Sequence, residues 1–135
     1  MSRAARFVLS GSLLRRDAKG RLTVRRDAFL PRGTPLETSV IMHDDLNSDL
    51  PWTIGRKMAA SCRPDQSGVG RRLHAIADVS DSDIAFARLQ LMPQPSKISK
   101  RHANIVGWSL ERVKQQDAAL TLAEAAVVHI TPQGN

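Results

Sequence analysis

The period of the apolar residues changes along the chain, and its last third carries the longest helical pattern. After Ser109, the positions Val113, Gln116, Leu120, Ala123, Val127 and Ile130 recur at three-, four- and seven-residue steps. They place one mostly apolar stripe on a helix over 109–130. Glu111, Lys114, Gln115 and His129 fall on the other side. Ser109 suits the N-cap, where a hydroxyl accepts from an otherwise unpaired first-turn amide, and Pro132 and Gly134 follow the end. A second stripe of small residues, Ala119, Ala123 and Ala126, lets a neighbouring element come close, as packing across a sheet requires. Leu120 is the large residue of the main stripe, so the core is expected to close on it and not on Leu122.

Upstream, the period shortens to that of strands. Phe7-Val8-Leu9 is a short apolar run. Leu13–Arg16 and Arg21–Arg25 flank Asp17-Ala18-Lys19-Gly20, in which Asp opens a type I turn and a left-handed glycine closes it, so a β-hairpin is expected. Its second strand sends Leu22 and Val24 to one face and Arg21, Thr23 and Arg25 to the other. Thr38–Met42 is β-branched and apolar, an inner strand. Alternation over 73–79 predicts another. A helix over 49–62 has Pro51 in its first turn and an apolar side of Leu50, Ile54, Met58 and Cys62. A short helix over 82–90 opens on Ser80 and Asp83, spaced as a capping box, and Met92–Lys97 reads as a proline-broken connector. The expected fold is α+β: a short antiparallel sheet, hairpin and inner strands together, packed against two or three helices of which the C-terminal one is long.

Composition narrows the setting. A chain of 135 residues with 41% apolar and 24% charged residues is expected to fold as one domain over 1–135. With one cysteine, Cys62, no internal disulfide can form, which fits a cytoplasmic protein. No run approaches the roughly 18 apolar residues of a membrane span. The first sixteen residues hold four Arg and no acid, the composition of an organellar presequence, but Ser10-Gly11-Ser12 interrupts the apolar run a secretory signal needs. The net charge of +7 is uneven: nine Lys/Arg against two acids in residues 1–33, six against eight in 34–96 and five against three in 97–135. An excess concentrated at one end is the footprint of a polyanion partner, so the expected function is that of a small non-enzymatic module binding nucleic acid first of all, with docking to an acidic protein surface as the alternative. The expected contacts are Arg15, Arg16, Lys19, Arg21, Arg25 and Arg26 of the hairpin.

Catalytic signals are sparse. His43, His74, His102 and His129 stand at no metal-ligand spacing, no zinc or cofactor motif can be written, and none is expected. Asp45, Asn47 and Asp49 alternate as in a calcium loop, but Leu50 and Arg56 occupy the positions that need glycine and glutamate. Gly68-Val69-Gly70 before Arg71-Arg72 can cradle a phosphate, yet it does not join a strand to a helix as a dinucleotide loop does. His43 beside Asp44 sets a base next to a carboxylate. Arg101, His102 and Trp108 precede the last helix, whose N-terminus attracts anions, although a Trp there more simply packs into the core. A hydrolytic chemistry would use His102 with Ser39 or His43, brought together only by the fold, and the enzyme alternative, a ribonuclease or transferase, would depend on His43 or His102.

Overall fold

The computed structural model describes residues 3–44, 49–62, 71–97 and 99–130. In chain order these form β1 (Arg3–Val8), β2 (Leu14–Arg16), β3 (Leu22–Val24), β4 (Thr38–His43), α1 (Leu50–Ser61), β5 (Ala75–Ser80), α2 (Asp81–Phe86), β6 (Gln90–Pro93), β7 (His102–Val106), α3 (Arg112–Ala125) and β8 (Val127–Ile130). Single 3-10 turns lie at Gly11–Leu13 and Arg26–Ala28. The class is α+β, as the pattern predicts. Six strands make an antiparallel sheet in the order β6-β7-β4-β1-β5-β8, while β2 and β3 pair only with each other. The N-terminal strand therefore lies inside the sheet, and the hairpin stands beside the inner strands as a separate ribbon.

Each face of the sheet is covered. On one, Ala5, Phe7, Ile41 and Ile76 pack with Leu73 and with Trp52 and Ile54 of α1. On the other, Ala4, Val8, Val40, Ala75, Ala77, Val79, Ala103 and Ile105 meet α2, α3, β3 and the second 3-10 turn. Because both faces are covered, β5 is buried at every position, and a strand buried on both sides loses the clean alternation of a half-exposed one.

Helix α1 starts with Pro51 in its first turn, as expected, but it turns a different side inward. Pro51, Trp52, Ile54, Gly55 and Ala59 are buried, whereas Leu50 and Cys62 are exposed. Gly55 explains the rotation. A Cβ there would stand 2.7 Å from Leu73 Cδ2 and 3.0 Å from the Phe7 ring, so the helix comes closest to the sheet at the one residue without a side chain. In α2 the capping box forms as written: Asp83 N donates to Ser80 Oγ at 3.0 Å and Ser80 N to Asp83 Oδ2 at 2.9 Å.

The C-terminal helix departs most from its pattern. It ends at Ala125, and the β-branched run after it becomes β8, paired with β5 at the sheet edge. Val127 and Ile130 thus leave the helical stripe. What remains faces inward through Ala119, Leu122 and Ala123, with Leu122 fully buried and Leu120 42% exposed. The expectation for Leu120 is overturned because α3 packs chiefly on the second 3-10 turn, with β3, α2 and β5 beside it, and turns Ala119, Leu122 and Ala123 to that side. Ser109 is not the N-cap; Glu111 is, and Ser109 Oγ accepts from Glu111 N at 3.0 Å. Pro132 and Gly134 lie outside the described residues.

One irregularity positions everything that follows. β1 pairs with β4 only through Arg3, Ala4 and Ala5, opposite His43, Met42 and Ile41. Beyond them β1 continues on β5 and β4 continues on β7, so the sheet parts between Arg6–Val8 and Thr38–Val40.

The two leucines of α3 give the test of this packing. Leu122→Ala should lower stability by about 2–5 kcal/mol through cavity formation, and Leu120→Ala by less than about 1 kcal/mol. Urea denaturation of both variants checks this, and equal losses would place α3 on another face.

Candidate functional site

The Arg6 guanidinium fills the parting between β1 and β4. Its Nε donates to the Ala28 carbonyl at 2.7 Å and its Nη1 to the Ser39 carbonyl at 2.8 Å, in place of the ladder bonds that β1 does not make there. Two cavities open at this point, of about 550 Å³ and about 280 Å³, and Arg6, Arg32 and Ser39 line both.

Within the smaller cavity, Ser39 and His102 meet. His102 stands opposite Ile41 on β7, so Ser39, two residues earlier on β4, is its diagonal neighbour on the same face. Ser39 Oγ lies 2.6 Å from His102 Nε2, and His102 Nδ1 lies 2.8 Å from the Gln94 carbonyl. A carbonyl can only accept, so Nδ1 carries a proton. In the neutral ring Nε2 is then the acceptor, and the Ser39 hydroxyl donates to it. Gln94 clamps the ring further: its amide donates to the His102 carbonyl at 2.9 Å, and its side-chain oxygen accepts from Asn104. A hydroxyl bonded to a base whose other nitrogen is held by an acceptor is the arrangement of an activated nucleophile. The sequence names both residues, but only the register of β4 against β7 brings them together.

A second polar cluster lies toward the other end of β4. His43 does not use its sequence neighbour Asp44, which is exposed and 3.9 Å from Arg101. Its Nε2 is 2.7 Å from Asp78 Oδ1 on β5, and Arg3 Nε donates to Asp78 Oδ2 at 2.6 Å. Burial alone would push the Asp78 carboxyl up. Hydrogen bonds from His43 and Arg3, together with their charges, outweigh it and hold the carboxyl below its ordinary range. His43 Nδ1 is buried and has no hydrogen-bond partner among the described residues. Beside the residue is a cavity of about 130 Å³.

The hairpin forms as predicted, with Gly20 at φ 79° and Asp17 Oδ1 accepting from the Lys19 and Arg21 amides at 2.9 Å each. These bonds, that of the Arg21 amide first, keep the Asp17 carboxyl below its usual range. Its six basic residues do not act as one surface. Arg15, Arg21, Arg25 and Arg26 line a groove of about 690 Å³ against Leu120 and Glu124 of α3, together with Asp17 and Asp27. Arg16 lies on the opposite face of the ribbon and donates to the Gly20 carbonyl at 2.8 Å, while Lys19 is at the exposed tip. Arg21 is committed to Asp17 at 2.8 Å.

The anion site expected before the last helix does not assemble. Arg101 and His102 precede or open β7 and Trp108 follows it, about 20 Å away at strand rise. Trp108 is buried and donates from Nε1 to the Ile105 carbonyl at 2.9 Å. The loops with Asp45 and Asn47 and with Gly68-Val69-Gly70 lie outside the described residues. Among the described residues no three His, Cys, Asp or Glu side chains gather as a metal site, and no helix is long and apolar enough to cross a membrane. Comparison of the chain with protein-family models, with curated proteins and with solved structures finds no match.

The Asp78 cluster predicts a pH dependence. A carboxyl whose folded pKa lies below the unfolded value, about 3.9 for Asp, contributes stability that is complete above that value and is lost as pH falls through the folded one. Asp78→Asn should therefore lower stability at neutral pH by about 3 kcal/mol, since it leaves a partner of a buried pair uncompensated. The variant's loss of stability below about pH 4 should also be shallower than that of the native chain. Urea titrations at a series of pH values read both effects. An unchanged acid limb would rule Asp78 out as its source.

Proposed function

We propose that the protein is a small hydrolase in which Ser39 is the nucleophile and His102 its general base, acting on an acyl ester bound in the parting of the sheet. The observation that carries this reading is the 2.6 Å contact of Ser39 Oγ with an imidazole whose far nitrogen is fixed by the Gln94 carbonyl. In the first step Ser39 Oγ attacks the acyl carbon while His102 Nε2 takes the hydroxyl proton. The proton passes to the leaving alcohol oxygen as the acyl–oxygen bond breaks, leaving acyl-Ser39. Water then attacks that ester while His102 Nε2 takes its proton, the acyl–Oγ bond breaks, the proton returns to Ser39 Oγ, and the acid is released. The guanidinium of Arg6, bonded to the Ser39 carbonyl, lines the same cavity as Ser39 and His102 and makes it electropositive. A carbonyl behind His102 holds the tautomer without contributing a full negative charge, so the imidazolium is less stabilised than in a Ser-His-carboxylate triad.

A second reading rests on a separate observation. Arg15, Arg25 and Arg26 line one groove, and among the described residues their side chains have no hydrogen-bond or ion-pair partner. The hairpin thereby offers a phosphate backbone several free cations. With no aromatic residue on the ribbon to stack on a base, binding of nucleic acid would carry little sequence preference. Asp17, Asp27 and Glu124 in the same groove reduce its field and favour the hydrolase as the primary reading.

Both readings have direct tests. A fluorophosphonate probe should add covalently to Ser39, as read by the mass of the modified peptide. Ser39→Ala should abolish the adduct, and His102→Gln should slow it by about a hundredfold or more with the circular dichroism unchanged. Absence of labelling, or labelling that survives in Ser39→Ala, removes the hydrolase reading. For the hairpin, Arg15→Ala with Arg25→Ala should reduce the slope of log affinity for duplex DNA against log salt by about two units. A fluorescent duplex that does not bind at low salt, or binds the double variant with the same slope, leaves the ribbon a solvated face.

A further inference from the structure

β1 carries two arginines with opposite fates. Arg3 is given the Asp78 carboxylate at 2.6 Å, whereas Arg6, three residues on, is given only the carbonyls of Ala28 and Ser39. A guanidinium has five N–H donors. Two of Arg6's are used, and the remaining three bond to nothing among the described residues. Arg6 is half-buried and its unbonded donors are not sealed in the interior, so the guanidinium lines the two cavities with donors that an anion can meet.

Arg32 adds to the positive charge there. Its backbone exchanges hydrogen bonds with Glu37 at 2.9 and 3.0 Å, closing the turn that carries it beside Arg6, and its side chain lines the same two cavities. Burial first, and the charge of Arg32 second, lower the Arg6 pKa to about 10. Arg6 nonetheless remains charged at neutral pH, so two like charges are held together in one cleft. The acids nearby reduce that charge without pairing with it. Glu37 lines the smaller cavity and Asp27 the larger, but among the described residues neither forms an ion pair with Arg6 or Arg32.

We infer that the cleft between β1 and β4 binds a compact oxyanion, a carboxylate or phosphate group of the substrate, between the guanidiniums of Arg6 and Arg32 and beside Ser39. Planar forks of N–H donors match the oxygens of either group. The inference rests on the hydrolase reading for calling the anion part of a substrate, and the site itself stands on the cavities and the unpaired cations. It makes the substrate an acidic ester and excludes a neutral lipid or peptide of equal size from tight binding.

The test separates this site from the chemistry. Thermal unfolding is followed against inorganic phosphate and, separately, succinate at constant ionic strength, with chloride as reference, for the native chain, Ser39→Ala and Arg32→Gln. At least one anion should raise Tm saturably, and equally in the native chain and Ser39→Ala, because binding does not need the nucleophile. Arg32 is exposed, so Arg32→Gln keeps the fold, and its half-saturating concentration should rise about tenfold or more. A response to phosphate alone assigns a phosphoryl group, and a response to succinate alone a carboxylate. No rise beyond chloride, or the same half-saturation in Arg32→Gln, overturns the inference even if Ser39 is labelled. Saturable binding without labelling of Ser39 leaves the anion site standing and removes only the hydrolase.

Discussion

The fold depends on one guanidinium replacing a stretch of β-ladder. Where β1 and β4 part, the Ser39 carbonyl would face inward without a donor, and the Ala28 carbonyl of the neighbouring 3-10 turn would share its fate. An unsatisfied buried carbonyl costs about 1–3 kcal/mol, and Arg6 satisfies both at once. It ties three segments together: the strand it belongs to, the far half of the sheet through β4, and the turn that leads out of the hairpin. An aliphatic residue at this position could fill the volume but could not make those bonds. The consequence is a charged group where the inner strands part, and the cavities that open around it are the structural result.

β4 distributes the polar chemistry. Ser39, Ile41 and His43 alternate onto one face, with the apolar residue packed under α1 and the polar ones on either side of it. Ser39 engages the adjacent strand β7, and His43 reaches past β1 to Asp78 on β5, so the two polar groups are directed to opposite sides of β4. The two clusters differ in what holds them. Asp78 is clamped from both sides by Arg3 and His43, a structural ion network, while His102 is clamped by a backbone carbonyl and leaves its other nitrogen to a hydroxyl.

Legibility in the sequence followed the range of the interactions. The hairpin, the capping box and the Pro51 helix start were readable because each is decided within a few residues: Asp17 accepts from amides two and four residues on, and Ser80 and Asp83 cap each other. The short strands β6 and β7 escaped because Pro93 and Asn104 interrupt their apolar pattern, although an edge strand tolerates proline and a paired strand tolerates a bonded amide. The inward sides of α1 and α3 are not set by the apolar period alone. α1 meets Leu73 and Phe7 at Gly55, and α3 turns the alanine stripe inward together with Leu122 and leaves Leu120 partly exposed. Of the site, Ser39 and His102 were visible as residue types. Their meeting was not, since it depends on a register between strands 63 residues apart. Arg6 left no signal at all, being one arginine among several in a basic segment.

The position of β1 also bears on how the chain is made. β1 is an inner strand whose partners are synthesised much later than it is: β4 after more than thirty residues, and β5 with Ser80 aligned to Arg3. Until then only the hairpin can form from local contacts. Closing pairings of such sequence separation places folding in the slow regime of β-rich domains, on the order of milliseconds to seconds. During synthesis, Phe7 and Val8 therefore wait uncovered, and the arginines interspersed around them keep a nascent hydrophobic segment in solution.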